Sequence, residues 1–319
     1  MKISIGPIQY YWSKTQVEQF YVSLRNQVDT FYLGETVCGR RREMTASDWI
    51  GLGKELAAEG HEVVLSTLCL VEARSEAAQV RRLCENGELR VEANDFTAIS
   101  FLEAADLPFV AGPTLNVYSG STLRTLQGLG AVRWVPPVEL PGRALAELLG
   151  EYAELGDAPA IETEVFAYGR LPLAFSARCF TARHYQRPKD DCEFVCRHHP
   201  EGLEVTTRAG QHFLTINGIQ AQSFGCVNLL SALPEMQQMG VGRVRLSPRP
   251  EGMSEVVAAF RAAIRGEPSV ALTEPAPERQ CDGYWWGGAG CAHYAKTPAA
   301  PLAALQGEED ALRPIVHEE

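Results

Sequence analysis

Cys179, Cys192 and Cys196 fall within eighteen residues, in a stretch that reads RCFTARHYQRPKDDCEFVCRHH. Nine cysteines in 319 residues would place about half a cysteine in such a window by chance. Arg, Lys, Asp and His surround the three thiols, so the run reads as a polar connection and not as a core strand. Thiols in that setting bind or react more often than they fill space. Four thiolates around one centre suit a structural zinc ion or an iron–sulfur cluster. The spacing is one distant cysteine followed by C-x12-C-x3-C. It lacks the second close pair of most zinc sites and matches no common ferredoxin run. A cluster, zinc and inert thiols therefore all stay open, in that order. His198 and His199, beside Cys196, read as a solvated pair before they read as added ligands.

Other chemistries have less to stand on. No G-x-G-x-x-G follows a strand, and no G-x-x-x-x-G-K-[ST] or G-x-S-x-G is present. The formal net charge of −11 repels phosphate backbones, which argues against nucleic acid as a partner. The short basic runs, Arg40-Arg41-Arg42 and Arg81-Arg82, read as solvated faces. No stretch approaches eighteen apolar residues, so no membrane span is expected. The opening MKISIGPIQYYW lacks the pattern of a secretory signal, which points to the cytoplasm and reduced thiols. An odd number of irregularly spaced cysteines also argues against a disulfide framework.

The elements that must position these thiols follow from periodicity. Eight β-rich runs are expected at 2–8, 29–34, 62–68, 88–92, 108–111, 131–135, 161–168 and 243–246. Helical patterns lie between them, among them 45–59, which opens on a Thr45/Asp48 start signal. Alternating strands and helices over about 250 residues suggest a (β/α)8 TIM-like barrel, with an open doubly wound sheet as the alternative that short apolar strands do not separate from it. A helix is expected over 227–239, which would put Cys226 just before it. One connection breaks the rhythm: a long insertion of about 169–242, between the seventh and eighth strands, carries the cysteines and a hairpin at 203–207 and 212–216. Barrel enzymes build sites at the carboxyl ends of their strands, so the insertion belongs on that face. A fourth thiol could come from Cys38, beyond strand two, from Cys69, after strand three, or from Cys226. Cys84, late in a helix, reads as core. The domain is read as 1–293, with 294–319 a disordered tail.

At Glu164 the residues become specific. The run ETEVFAYGRLPLAFSARCF resembles the signature of the peptidase U32 family, with Glu164, Phe166, Gly169 and Cys179 in the family's positions. Pro172 stands where most members carry a cysteine, and Ala177 replaces a glycine. DTFYLGE resembles the family's second strand and GYWWGGAG its C-terminal aromatic-glycine patch, so the similarity runs to about residue 293. The proline and the opening MKISIGPIQYYW point to the subgroup that acts in O2-independent ubiquinone biosynthesis. The resemblance implies a 4Fe–4S cluster held by Cys38, Cys179, Cys192 and Cys196. It also implies a second U32 protein as heterodimer partner, and hydroxylation of a small aromatic or polyprenyl-aromatic quinone precursor with prephenate as oxygen donor. An anionic donor calls for arginines, for which Arg40 and Arg178 are the candidates. The rival expectations are a non-catalytic scaffold stapled by zinc or a cluster, and a U32 protease.

Overall fold

The computed structural model describes residues 1–156, 160–268, 272 and 279–294. Seven strands follow one another as parallel neighbours: β1 (Lys2–Ile5), β2 (Thr30–Leu33), β3 (Glu62–Ser66), β4 (Arg90–Ala93), β5 (Phe109–Ala111), β6 (Ala131–Trp134) and β7 (Glu162–Phe175). Helices cross between them: α1 (Lys14–Ser23), α2 (Ala46–Ala58), α3 (Arg74–Cys84), α4 (Phe96–Ala104), α5 (Gly120–Gly128) and α6 (Gly142–Glu154). Their starts are chemically marked. Ser13 and Thr45 cap α1 and α2 in reciprocal boxes with Gln16 and Asp48, and Asp95 caps α4 through the Thr97 amide.

After β7 the chain builds a short helix α7 (Phe180–His184), two 3-10 turns, and an antiparallel meander of β8 (Leu203–Thr206), β9 (His212–Asn217) and β10 (Gln220–Asn228). It returns through α8 (Leu233–Gln238) to β11 (Arg243–Leu246), which pairs in parallel with both β1 and β7 and closes an eight-stranded barrel. Helix α9 (Met253–Ile264) packs outside, and a two-residue β12 (Gln280–Cys281) adds to the free side of β10.

The eight expected strands and the closed barrel are therefore present. Two elements differ from expectation. β7 runs seven residues past Tyr168 and leaves the barrel to pair with β10, with register shifts opposite Pro172 that accommodate the missing amide. Cys226 lies within β10 and not before a helix, because the apolar residues of 227–230 belong to a strand end and a turn. The expected tail falls, from 295 onward, outside the described residues.

Alternation along the strands separates two cores. Phe31, Leu33, Val63 and Leu65 face the helices, whereas Tyr32, Val64, Val110 and Val135 pack inside the barrel. The interior also carries charge, all of it paired. Arg133 and Arg243 each bridge Glu62 and Glu162 at 2.6–2.7 Å. One layer nearer the carboxyl ends, Arg245 bridges Glu92 and Glu164 at 2.7 and 2.9 Å, and Tyr32 donates to Glu164 at 2.6 Å.

Candidate metal centre

Cys38 is set by the loop after β2. Gly34 has φ +148°, and a Cβ there would stand 2.1 Å from the Ser66 carbonyl oxygen, so only glycine lets the loop leave along β3. Glu35 then accepts hydrogen bonds from the Val37 and Cys38 amides at 2.9 and 3.0 Å. The Arg41 amide donates back to the Cys38 carbonyl at 2.9 Å. The other three thiols sit on the insertion. Sγ of Cys179 accepts from the Ala182 amide at 3.4 Å and caps α7, whose first residue donates to the Gly218 carbonyl at 2.8 Å. Cys192 and Cys196 flank Glu193 and Phe194, two consecutive non-glycine residues in the left-handed region, at φ 45° and 53°. Each such residue costs about 1–3 kcal/mol, and the pair bends the chain sharply between the two cysteines.

These loops bring the four thiols within electrostatic reach of one another. Burial pushes the Cys38, Cys179 and Cys196 thiols up, and their neighbours add to it: Cys196 acts on Cys38, Cys38 and Cys192 on Cys179, and Cys179 on Cys196. The opposing influence is Arg41, a cation 4% exposed that lies against Cys38, Cys196 and Glu35. Its guanidinium is fixed by the Gln9 carbonyl and the Asn217 side chain, both at 2.7 Å. Among the described residues, no group of three or more His, Cys, Asp or Glu side chains closes around a single-ion position. Four thiols with a buried cation nearby are the donor types that an anionic thiolate centre uses.

Side chains of the barrel clasp the insertion. Arg40 donates to the Lys189 and Asp190 carbonyls at 2.6 and 2.7 Å. Lys189 bonds Glu72 and the Ala177 carbonyl, and Arg197 reaches Glu43 and Tyr11. Trp12 donates to the Pro200 carbonyl at 2.9 Å. Arg40 is thus occupied in holding the cysteine loop, while Arg178 is exposed. The reading of Arg40-Arg41-Arg42 as a solvated face fails at its middle residue, because the chain turns at Cys38–Arg41 and points Arg41 inward.

The other cysteines lie elsewhere. Cys69 lines the barrel mouth with Glu92, Thr114 and Arg245, Cys84 is buried in α3, and Cys226 neighbours Cys281 at the β10–β12 pairing. His199 bonds Tyr185 at 2.7 Å. The signature residues before Cys179 prove to be barrel construction. Glu164 is fully buried in the ion pairs above. Gly169 has φ +119°, and a Cβ there would meet Ser247 Cβ at 2.5 Å. Glu35, the last residue of the DTFYLGE run, was not marked as a site residue; its role comes from its bonds to the Val37 and Cys38 amides.

Solved structures match the chain at low identity. A dihydropteroate synthase from Thermus thermophilus is 12% identical, with 83% of this chain and 92% of that chain covered at a TM-score of 0.42. A mutant tryptophan synthase alpha-subunit from the hyperthermophile Pyrococcus furiosus is 12% identical over 83% and 98%, with a TM-score of 0.45. A putative dihydrodipicolinate synthetase from Pseudomonas aeruginosa is 9% identical over 83% and 77%, with a TM-score of 0.43. Barrel closure itself rests on the strand pairing described above. The family model for peptidase family U32 matches residues 15–273. That match spans most of the barrel, the insertion and all four of Cys38, Cys179, Cys192 and Cys196, and the chain belongs to peptidase family U32.

Proposed function

We propose that this chain is the iron–sulfur subunit of an O2-independent hydroxylation system in ubiquinone biosynthesis, corresponding to UbiV and working with a UbiU-like U32 protein. The reaction is hydroxylation of the aromatic ring of a quinone precursor, with prephenate as oxygen donor. One observation supports the reading: Cys38 on one loop and Cys179, Cys192 and Cys196 on another are linked through mutual electrostatic influence, beside the buried Arg41. Zinc would require four sulfurs within about 2.3 Å of one point. A four-iron cluster instead distributes its thiolates over four irons.

Cys38, Cys179, Cys192 and Cys196 would hold that cluster. When bound, it supplies one-electron transfer or a staple between loops, since four cysteine ligands leave no iron position open for Lewis-acid chemistry. The chain's own residues do the rest. Arg41 balances the thiolate charge, Glu35 fixes the Cys38 turn, and Arg40 ties the insertion to the barrel. A scaffold role without chemistry is the second reading, favoured by that clasp. Cys179→Ala separates the two in an anaerobic assay with the partner. Partner binding retained with product abolished supports a role in the reaction; product formed at the wild-type rate contradicts it.

A further inference from the structure

The tip of the β9–β10 hairpin is buried, although turns usually face water. Gly218 opens this two-residue turn at φ +64°, a conformation for which such turns select glycine. The tip touches both loops that carry the thiols. Toward the insertion, the Gly218 carbonyl accepts from the Phe180 and Thr181 amides at 2.8 and 3.3 Å. The Gly218 amide donates to Thr181 Oγ1 at 2.9 Å, and together these bonds fix the start of α7, the helix that Cys179 caps. Toward the loop after β2, Asn217 Oδ1 accepts from Arg41 Nη2 at 2.7 Å. Asn217 Nδ2 donates at 2.7 Å to the Gln9 carbonyl, which also accepts from Arg41 Nη1. A Cβ on residue 218 would stand 2.9 Å from Arg41 Nη2, so the glycine leaves the guanidinium its place. The Arg41 guanidinium lies over the Tyr11 ring at 5.6 Å. The same ring meets Phe194 at 5.6 Å and carries Arg197 at 4.8 Å, the residues on either side of Val195 and Cys196. Arg41 thus stands against the Cys196 segment, and it reaches the Cys196 sulfur by a hydrogen bond.

We propose that Asn217 and Gly218 are positioning residues: the buried tip holds the Arg41 guanidinium on the Cys196 sulfur and so raises the reduction potential of the thiolate centre. A positive N–H donor at a sulfur ligand stabilises the added electron, because the reduced centre carries one more negative charge. Both acceptors that aim the fork, the Gln9 carbonyl and Asn217 Oδ1, are braced by the single Asn217 side chain. The inference rests on the iron–sulfur reading above and deepens it, since it assigns the centre to electron transfer. A centre that only stapled the two loops would be indifferent to where Arg41 points.

The test is an anaerobic redox titration of the full chain with mediators, followed by absorbance at about 400 nm, with iron counted in the same samples. Asn217→Ala leaves Arg41 its charge but removes one acceptor and the brace on the other. It is expected to keep its iron and to lower the reduced-to-oxidised ratio about tenfold at a fixed potential, a downward shift of about 59 mV for a one-electron couple. Arg41→Lys, which keeps the charge and loses the planar fork, is expected to shift the potential in the same direction. Arg178→Gln removes an exposed cation next in sequence to Cys179 and is expected to leave the potential unchanged. An unchanged potential in both Asn217→Ala and Arg41→Lys, an equal shift in Arg178→Gln, or loss of iron from both variants would overturn the proposal while the cluster stands. Wild-type protein without iron would overturn the cluster reading, and this inference with it.

Discussion

Cys38, Cys179 and Cys196 are held by the fold in their protonated state, first through burial and then through one another. A thiol whose pKa is raised on folding contributes stability below the ordinary thiol range, and that contribution is lost as pH rises through the folded value. The cluster-free protein should therefore lose stability above about pH 9, as read by urea unfolding across pH. Its three thiols should also react with iodoacetamide more slowly than free cysteine at about pH 8, because the thiolate is the nucleophile. Loading inverts the balance, since ligation releases the protons. Reconstitution should be more complete at about pH 8.5 than at about pH 6.5, measured as iron retained after desalting. At this scale the sequence was informative about the three crowded cysteines, whose spacing is improbable by chance. It misled on Arg41, read as part of a solvated face, because a run of three arginines looks alike whether its middle member points to water or inward.

The elements that carry these residues were legible where local chemistry marks their ends. Thr45 with Asp48 predicts the start of α2, and the structure shows that reciprocal cap. The extension of β7 was hidden by Gly169 and Pro172, which read as strand breakers. In the fold Gly169 supplies a positive φ beside Ser247, and Pro172 sits at a register shift against β10. Gly169→Ala should cost about 2 kcal/mol or more, from the strained φ and the contact with Ser247, as a lowered urea midpoint with unchanged slope. Arg40 acts on the element scale too, through the backbone of the 3-10 turn at Lys189–Asp191. Arg40→Ala should leave the barrel folded but open the insertion. Limited proteolysis should then cut between about residues 185 and 200 faster than in wild type, and iron content should fall. Cleavage at the wild-type rate would show that the clasp is dispensable.

Across the whole molecule, the barrel is closed by β11 between β1 and β7, and its interior is filled by ion pairs as much as by valines. The β/α alternation pointed to a parallel sheet of a size that suits a barrel, whereas closure is shown by β11 pairing with both β1 and β7. The ionic interior was not legible, since Glu92, Glu164 and Arg245 meet only when distant strands curve round. Arg245→Met would leave both buried carboxylates without their cation and should destabilise the fold by about 3–5 kcal/mol in urea unfolding. A change below about 1 kcal/mol would mean that Glu92 and Glu164 find other partners. The loops that follow β2 and β7 carry the four cysteines of the proposed centre. Its most direct test is iron and acid-labile sulfide analysis of anaerobically purified protein and its cysteine variants. About four irons and four sulfides per chain in wild type, lost in Cys38→Ala, Cys179→Ala, Cys192→Ala and Cys196→Ala but kept in Cys69→Ala and Cys226→Ala, is the predicted result. Colourless protein with stoichiometric zinc, or a cluster that survives Cys38→Ala and disappears in Cys69→Ala, would contradict it.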